Sequence, residues 1–205
     1  MYKNACHIAK RELELNPHLD LQVVKLAALF HDIVDFKYDY TTNVSKSLED
    51  IAHERLHSFF QSYKEEITHQ QMEKIIHIIL NISFRKELES KENQSNVLEE
   101  LKIVRDADRL DAIGAVGIAR CFGFSGAKKR PFHIEGVEPM VNMTAEQYNA
   151  QTVKNESTAI NHFYEKLLLL KEKFLTETGK QLAAERHEFM LVYLKQFENE
   201  CKIDS

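Results

Sequence analysis

Leu21-Gln22-Val23-Val24-Lys25-Leu26-Ala27-Ala28-Leu29-Phe30-His31-Asp32-Ile33-Val34-Asp35 is the stretch on which the reading of this chain turns. Wound into a helix, Leu21, Val24, Leu26, Ala27, Ala28 and Phe30 leave almost no polar face, which marks a buried helix rather than a surface one. Asp20 stands at the N-cap position, where a carboxylate accepts hydrogen bonds from the unpaired amides of the first turn. The apolar run ends on a histidine and an aspartate side by side. Neighbours on a helix point about 100° apart, so His31 and Asp32 can grip one ion together only near a helix end. The polar connection from Lys37 to Lys46 suits such an end.

Working outward, helical spacing recurs almost everywhere. Tyr2 to Leu15 is amphipathic and stops at Asn16-Pro17, as a proline boundary should. Ser47 to Phe60 and Gln70 to Ser83 repeat apolar residues at helical intervals, including Ile75, Ile76, Ile79 and Leu80. Lys86 to Asn96 reads as a polar loop. Leu98 to Cys121 resumes the helix, with a break expected near Asp106. Its small residues Ala112, Gly114, Ala115, Gly117 and Ala119 leave room for a closely approaching helix. Phe122 to Met140 gathers Gly123, Gly126, Gly136, Pro131 and Pro139 and is expected to be irregular. Thr144-Ala145-Glu146-Gln147 and Thr178-Gly179-Lys180-Gln181 have capping-box spacing. Each is expected to open a long amphipathic helix, one with Ile160, Phe163, Leu167, Leu170 and Phe174, the other with Leu182, Phe189, Met190, Tyr193 and Phe197. No strand-length alternation and no repeat is visible. The expectation is one all-α domain over 1–205: a core over 1–121, a loop or lid over 122–140 and long C-terminal helices over 141–205.

Composition narrows the function classes. With 43% hydrophobic and 29% charged residues, the chain reads as an ordinary globular protein. A net charge of -5 excludes a generally basic nucleic-acid binder. Cys6, Cys121 and Cys201 are far apart and lack zinc-finger spacing, which points to reduced thiols and a cytoplasmic setting. The start lacks the apolar core of a signal peptide, and no apolar run approaches a membrane span. No P-loop, Rossmann glycine pattern or GxSxG motif occurs.

A second acidic cluster, Asp106-Ala107-Asp108-Arg109-Leu110-Asp111, answers the first from far along the chain. One imidazole and two carboxylates suit Mn²⁺, Fe²⁺, Co²⁺, Ni²⁺ or Zn²⁺, with Mg²⁺ less natural for an imidazole. An ion held that way leaves positions open to water and to a phosphate oxygen. Neither half is specific by itself. Ten histidines and nine aspartates give about 0.4 His-Asp pairs by chance. Taken alone, Asp106, Asp108 and Asp111 fit a helix start whose acids complement the helix dipole.

The two halves together, Leu26 to Asp35 and Val104-Arg105-Asp106-Ala107-Asp108-Arg109-Leu110-Asp111-Ala112-Ile113-Gly114-Ala115, resemble the HD-domain superfamily of metal-dependent phosphohydrolases. Within it they are similar to a small bacterial group of about this length. Asn81 to Phe84, Asn161 to Leu168 and Ala184 to Met190 agree, so the likeness covers nearly the whole chain. The resemblance implies an all-α fold, one divalent metal ion as cofactor, and hydrolysis of phosphate esters or anhydrides. Nucleotides are the leading substrate class, and some members of the group cleave nucleoside triphosphates to monophosphate and pyrophosphate. It assigns His31, Asp32 and Asp108 as metal ligands. Asp35 matches a position where an acid acts as general base or orients the attacking water; a surface aspartate at a helix end fits it equally.

The family pattern also carries a metal-binding histidine on a preceding segment, ahead of the residues that Met1 to Ala5 resemble. The expectation is a start assigned too late or a shortened chain, which the intact mass of the native protein tests. His7 is a poor substitute, since it lies about 15 Å further along a helix. His53 and His57, at i and i+4, share a face and can chelate, but no acid stands near them in sequence. His162 and His187 are expected to support packing. Lys128, Lys129 and Arg130, on the glycine-rich segment, suit an anionic substrate or a solvated loop. Arg85 and Lys86 can add to the same phosphate pocket. Arg109 either joins it or orients the neighbouring carboxylates. The expected partner is therefore a small phosphate compound, with a nucleotide as the leading candidate, and no nucleic-acid polymer or membrane; a homodimer is compatible. The rival expectation is a metal-poor HD domain that binds nucleotides or regulates without turnover.

Overall fold

Every regular element among the described residues, 1–34, 47–82, 97–141 and 157–202 of the computed structural model, is a helix. The all-α expectation therefore holds. The chain divides into two compact units, Met1–Ala107 and Asp108–Ser205.

The first unit contains α1 (Tyr2–Glu12), α2 (Leu21–Phe30), α3 (Leu48–Ser62), α4 (His69–Asn81) and most of α5 (Glu99–Asp111). Helix α1 ends short of Leu15, whose amide turns back to the Glu12 carbonyl at 3.0 Å in a tighter turn before Asn16-Pro17. Asp20 caps α2 as expected, accepting from the amides of Gln22 at 3.0 Å and Val23 at 3.1 Å. Its second oxygen accepts from Gln71 Nε2 at 2.9 Å, which ties the start of α2 to α4. Val23, Val24, Ala27 and Ala28 are buried where α2 packs on α1 and α4, while Leu29 is exposed. Ser47 with Asp50 and Thr68 with Gln71 form reciprocal capping boxes that start α3 and α4. These local signals set where each helix begins. The buried face that follows holds it in place.

The second unit contains α6 (Gly114–Ala127), α7 (Ala159–His162) and α8 (Glu177–Cys201). From α7 the chain widens into a π turn, Phe163–Leu167, and then tightens into a 3-10 segment, Leu168–Lys173. Phe122 of α6 meets Phe163, Tyr193 and Phe197 at ring separations between 6.1 and 6.5 Å, forming an aromatic cluster between α6, the π turn and α8.

Four sequence expectations are corrected here. The break in the long helical stretch falls at Ala112-Ile113, not near Asp106. Gly114 has φ +73°, a left-handed conformation, and Ile113 is extended, so the helix must stop there. Asp106, Asp108 and Asp111 accordingly lie at the end of a helix rather than its start. Helix α6 runs on to Ala127, and the irregular stretch begins only at Lys128, because Gly123 and Gly126 sit within a helix whose apolar residues pack on α8. The last helix is capped by Thr176, whose Oγ1 accepts from Gly179 at 3.0 Å, rather than by Thr178, which is buried in the first turn. Finally, the helix carrying Ile160 and Phe163 is capped by Thr158 and is not one continuous α-helix. All five of its apolar residues are nonetheless buried, because the wide π turn and the tight 3-10 turns offset each other. The Thr144 box and the connections at Lys37–Lys46 and Lys86–Asn96 lie outside the described residues.

Candidate metal centre

Helix α2 delivers His31 and Asp32 as its sequence suggests: His31 is the C-cap and Asp32 the first residue of the following turn. Helix α3 holds that turn. Phe59 packs edge-on against Phe30 at 4.9 Å, and Arg55 donates to the Ile33 carbonyl. The His31 ring is mostly shielded, with 21% of its side chain exposed, and that of Asp32 is open at 60%. His31 Nδ1 lies 3.0 Å from the Ala28 carbonyl, and Nε2 lies 2.9 Å from Asp32 Oδ2.

These two distances define the chemistry. A carbonyl only accepts, so Nδ1 must carry a proton, and in the neutral ring Nε2 then presents a lone pair. That lone pair faces a carboxylate oxygen. Two acceptors hold such a distance only when a positive charge, a proton or a metal ion, stands between them. Two ligands about 2.1 Å from an ion and at right angles to each other are about 3.0 Å apart, so the pair fits adjacent positions on a divalent metal. The backbone hydrogen bond also fixes the ring's tautomer and orientation, as metal-bound imidazoles require.

Asp108 opens the second unit on the last turns of α5 and is partly exposed. Here the unpaired carbonyls of the helix already carry about half a negative charge, so a carboxylate opposes the dipole. The same holds at His31-Asp32, at the end of α2. An acid placed against a helix dipole is a poor stabiliser and a good cation ligand. Asp111, the last residue of α5, has its charge offset by Arg120 at 3.1 Å. Asp106 is fully buried. Among the described residues, no group of three or more histidine, cysteine, aspartate or glutamate side chains stands together as a metal-holding cluster.

Residues 1–113 match the HD domain family model, a span that includes His31, Asp32 and Asp108. This chain belongs to the HD domain family. It is similar to YpgQ of Bacillus subtilis, 38% identical over 181 residues that cover 88% of this chain and 73% of YpgQ. The crystal structure of YpgQ in complex with ADP superposes with a TM-score of 0.68 and 34% identity, covering 98% of this chain and 88% of that one. An HD-superfamily hydrolase from Bacillus thuringiensis superposes with a TM-score of 0.66 and 27% identity, covering 99% and 85%.

The remaining candidates of this HD domain separate by burial. Arg109 is 5% exposed and donates to the Lys173 carbonyl, closing the 3-10 segment. Arg105, which sequence reading passed over, is likewise buried and holds the Asn81 carbonyl at the end of α4 with Nε at 3.1 Å and Nη2 at 2.8 Å. No sequence signal marked it, since an arginine among helical apolar residues reads as surface. Of the basic trio, Lys128 and Lys129 are exposed, and Lys128 Nζ lies 5.9 Å from the Phe124 ring centre. Arg130 is buried, its amide donating to the Ser125 carbonyl at 2.8 Å. Asp35, Arg85 and Lys86 lie outside the described residues. His53 is half-buried and His57 exposed on α3.

Burial, reinforced by Lys166 and Arg130, pushes the His162 pKa down to about 3. Burial likewise pushes the Cys121 thiol up to about 11, against Arg130 and Ser125, so it stays a neutral thiol. The unfolded chain protonates His162 near its ordinary value of about 6.5, while the folded chain resists until about 3. The histidine's contribution is therefore fully present above about pH 6.5 and is lost as pH falls, by up to about 1.4 kcal/mol per pH unit. Urea unfolding between pH 7 and pH 4 should show this loss, and His162→Gln should flatten it. An equal slope in the variant would exclude His162 as its source.

Proposed function

We propose that this HD domain is a metal-dependent phosphohydrolase acting on a nucleotide. The leading reaction is cleavage of a nucleoside triphosphate to the monophosphate and pyrophosphate. The observation that carries the reading is the facing of His31 Nε2 and Asp32 Oδ2 at 2.9 Å, with the ring's other nitrogen committed to the Ala28 carbonyl. The ADP complex of YpgQ and the similarity to an HD-superfamily hydrolase support the substrate class and the reaction type.

His31, Asp32 and Asp108 are assigned as the residues that would hold the ion. A divalent ion there supplies Lewis acidity, polarising water and offsetting charge on the phosphoryl group. His31 serves as a neutral nitrogen ligand, kept in that tautomer by Ala28. Asp35 is assigned as the base or water orienter: water adds to the α-phosphorus, its proton passes to the carboxylate, and the bond to the leaving pyrophosphate breaks. Lys128 and Lys129, the exposed pair, are assigned to the phosphate chain together with Arg85 and Lys86. Arg109 is assigned to holding the backbone, since it is buried and donates to the Lys173 carbonyl, and Arg130 is set apart from the exposed lysines by its burial.

The test is to strip the protein with a chelator and assay a nucleotide panel with Mn²⁺, Co²⁺ or Mg²⁺. Turnover restored by one of these ions, with pyrophosphate among the products, is the expected result. Less than about 0.1 equivalent of bound metal and no turnover with any ion would favour the rival binding or regulatory module.

A further inference from the structure

Helix α5 should be hard to end where it does. Three carboxylates, Asp106, Asp108 and Asp111, occupy its last six residues, against the negative end of the helix dipole. The stop itself is tightly determined within the second unit. Ile113 is extended and Gly114 is left-handed. A side chain cannot be added at Gly117 without reaching within 2.3 Å of the Ala112 carbonyl oxygen. Arg120 meets Asp111.

Arg186, from α8, reaches the same helix end. Its Nη1 donates to the Leu110 carbonyl, one of the last of α5. Its stem lies over Gly114, so close that an added Cβ there would meet Arg186 Cγ at 2.9 Å. A single side chain thus does two things. Its charge satisfies a helix-end carbonyl and opposes the crowded negative charge, and its methylenes cover the glycine on which the turn pivots.

We propose that Arg186 is a positioning residue for Asp108: it holds the last turn of α5 closed, so that the Asp108 carboxylate is presented in one orientation. Leu110 is two residues beyond Asp108, so fraying of that turn would release the aspartate's backbone directly. This rests on the reading of Asp108 as a metal ligand, and the experiment separates the two.

Metal-free full-length protein is titrated with Mn²⁺ by calorimetry, well below the melting temperature of every variant. Arg186→Met keeps the stem over Gly114 and removes the charge and the donor. It is expected to bind Mn²⁺ roughly 10–100-fold more weakly, the range for a residue that orients a ligand. Arg186→Lys, which keeps the charge, should recover part of that loss. Asp108→Asn should bind no measurable Mn²⁺. A purely structural role would lower the melting temperature of Arg186→Met and leave affinity within about twofold of wild type; that result overturns the proposal. If Arg186→Met does not fold, Arg186→Gln, which also removes the charge, decides: affinity within about twofold of wild type there overturns the proposal. If Asp108→Asn binds Mn²⁺ like wild type, the ligand reading fails, and the proposal with it.

Discussion

Asp108→Ala is expected to remove bound divalent metal and to lower kcat/KM on the order of 10³-fold or more, while the protein stays folded. A metal ion contributes several kcal/mol of charge stabilisation in phosphoryl transfer, which sets that scale. Stability should follow a different course. Asp108 lies partly exposed on the last turns of α5, where its charge opposes the helix dipole. Neutralising an acid in that position relieves about 0.3–1 kcal/mol. The melting temperature of the metal-free variant should therefore move by only a few degrees, far less than a core substitution would cause. Metal content by elemental analysis, turnover on the most active nucleotide and thermal melting check the three parts together. Unchanged turnover would remove Asp108 from the site.

Gly117→Ala is expected to destabilise the protein, against the rule for helices. In an open helix, alanine is favoured over glycine by about 1 kcal/mol. At Gly117 the new Cβ would stand 2.3 Å from the carbonyl oxygen of Ala112 and 2.4 Å from its carbon. Both are backbone atoms of the turn that ends α5, and no rotamer change relieves the contact. The turn must shift, at a cost of about 2–4 kcal/mol. For a chain of this length that lowers the melting temperature by roughly 5–15 °C. Gly123, on the same helix, has nothing within 4 Å of an added Cβ, so Gly123→Ala should be neutral or stabilising by up to about 1 kcal/mol. Thermal melts of the two variants side by side check the contrast. Equal effects would mean that the close approach at Gly117 is not what limits substitution.

How far the site was legible depends on how local each feature is. His31-Asp32 at a helix end follows from the apolar run before it and the polar run after it, and α2 places the pair there. Arg55, which steadies the turn by donating to the Ile33 carbonyl, had no such mark, because its partner is 22 residues away on another element. Asp108 was legible as a ligand candidate, but its placement was not. The stretch from Val104 to Ala115 is equally compatible with a helix that starts at the acids and one that ends on them. The left-handed Gly114 decides between the two, and a glycine's sequence position does not reveal its φ. The basic trio shows the same limit: three consecutive cations read alike, yet Arg130 is buried while Lys128 and Lys129 are exposed.

The amino-acid sequence by itself determined the helical class, the cap at Asp20 and the His-Asp pair at the end of α2. Each depends on residues within about four positions of one another, where period and capping act directly. The structure, by contrast, buries only one face of that helix, leaving Gln22, Lys25 and Leu29 exposed. Only the tertiary structure decided that Asp108 ends a helix instead of starting one, that Arg105, Arg109 and Arg186 each hold a backbone carbonyl, and that Gly117 tolerates no side chain. The three arginine contacts join residues 24, 64 and 76 positions apart. Such pairs form only when separately specified helices are packed together, since burial then requires every polar group brought inside to find a partner.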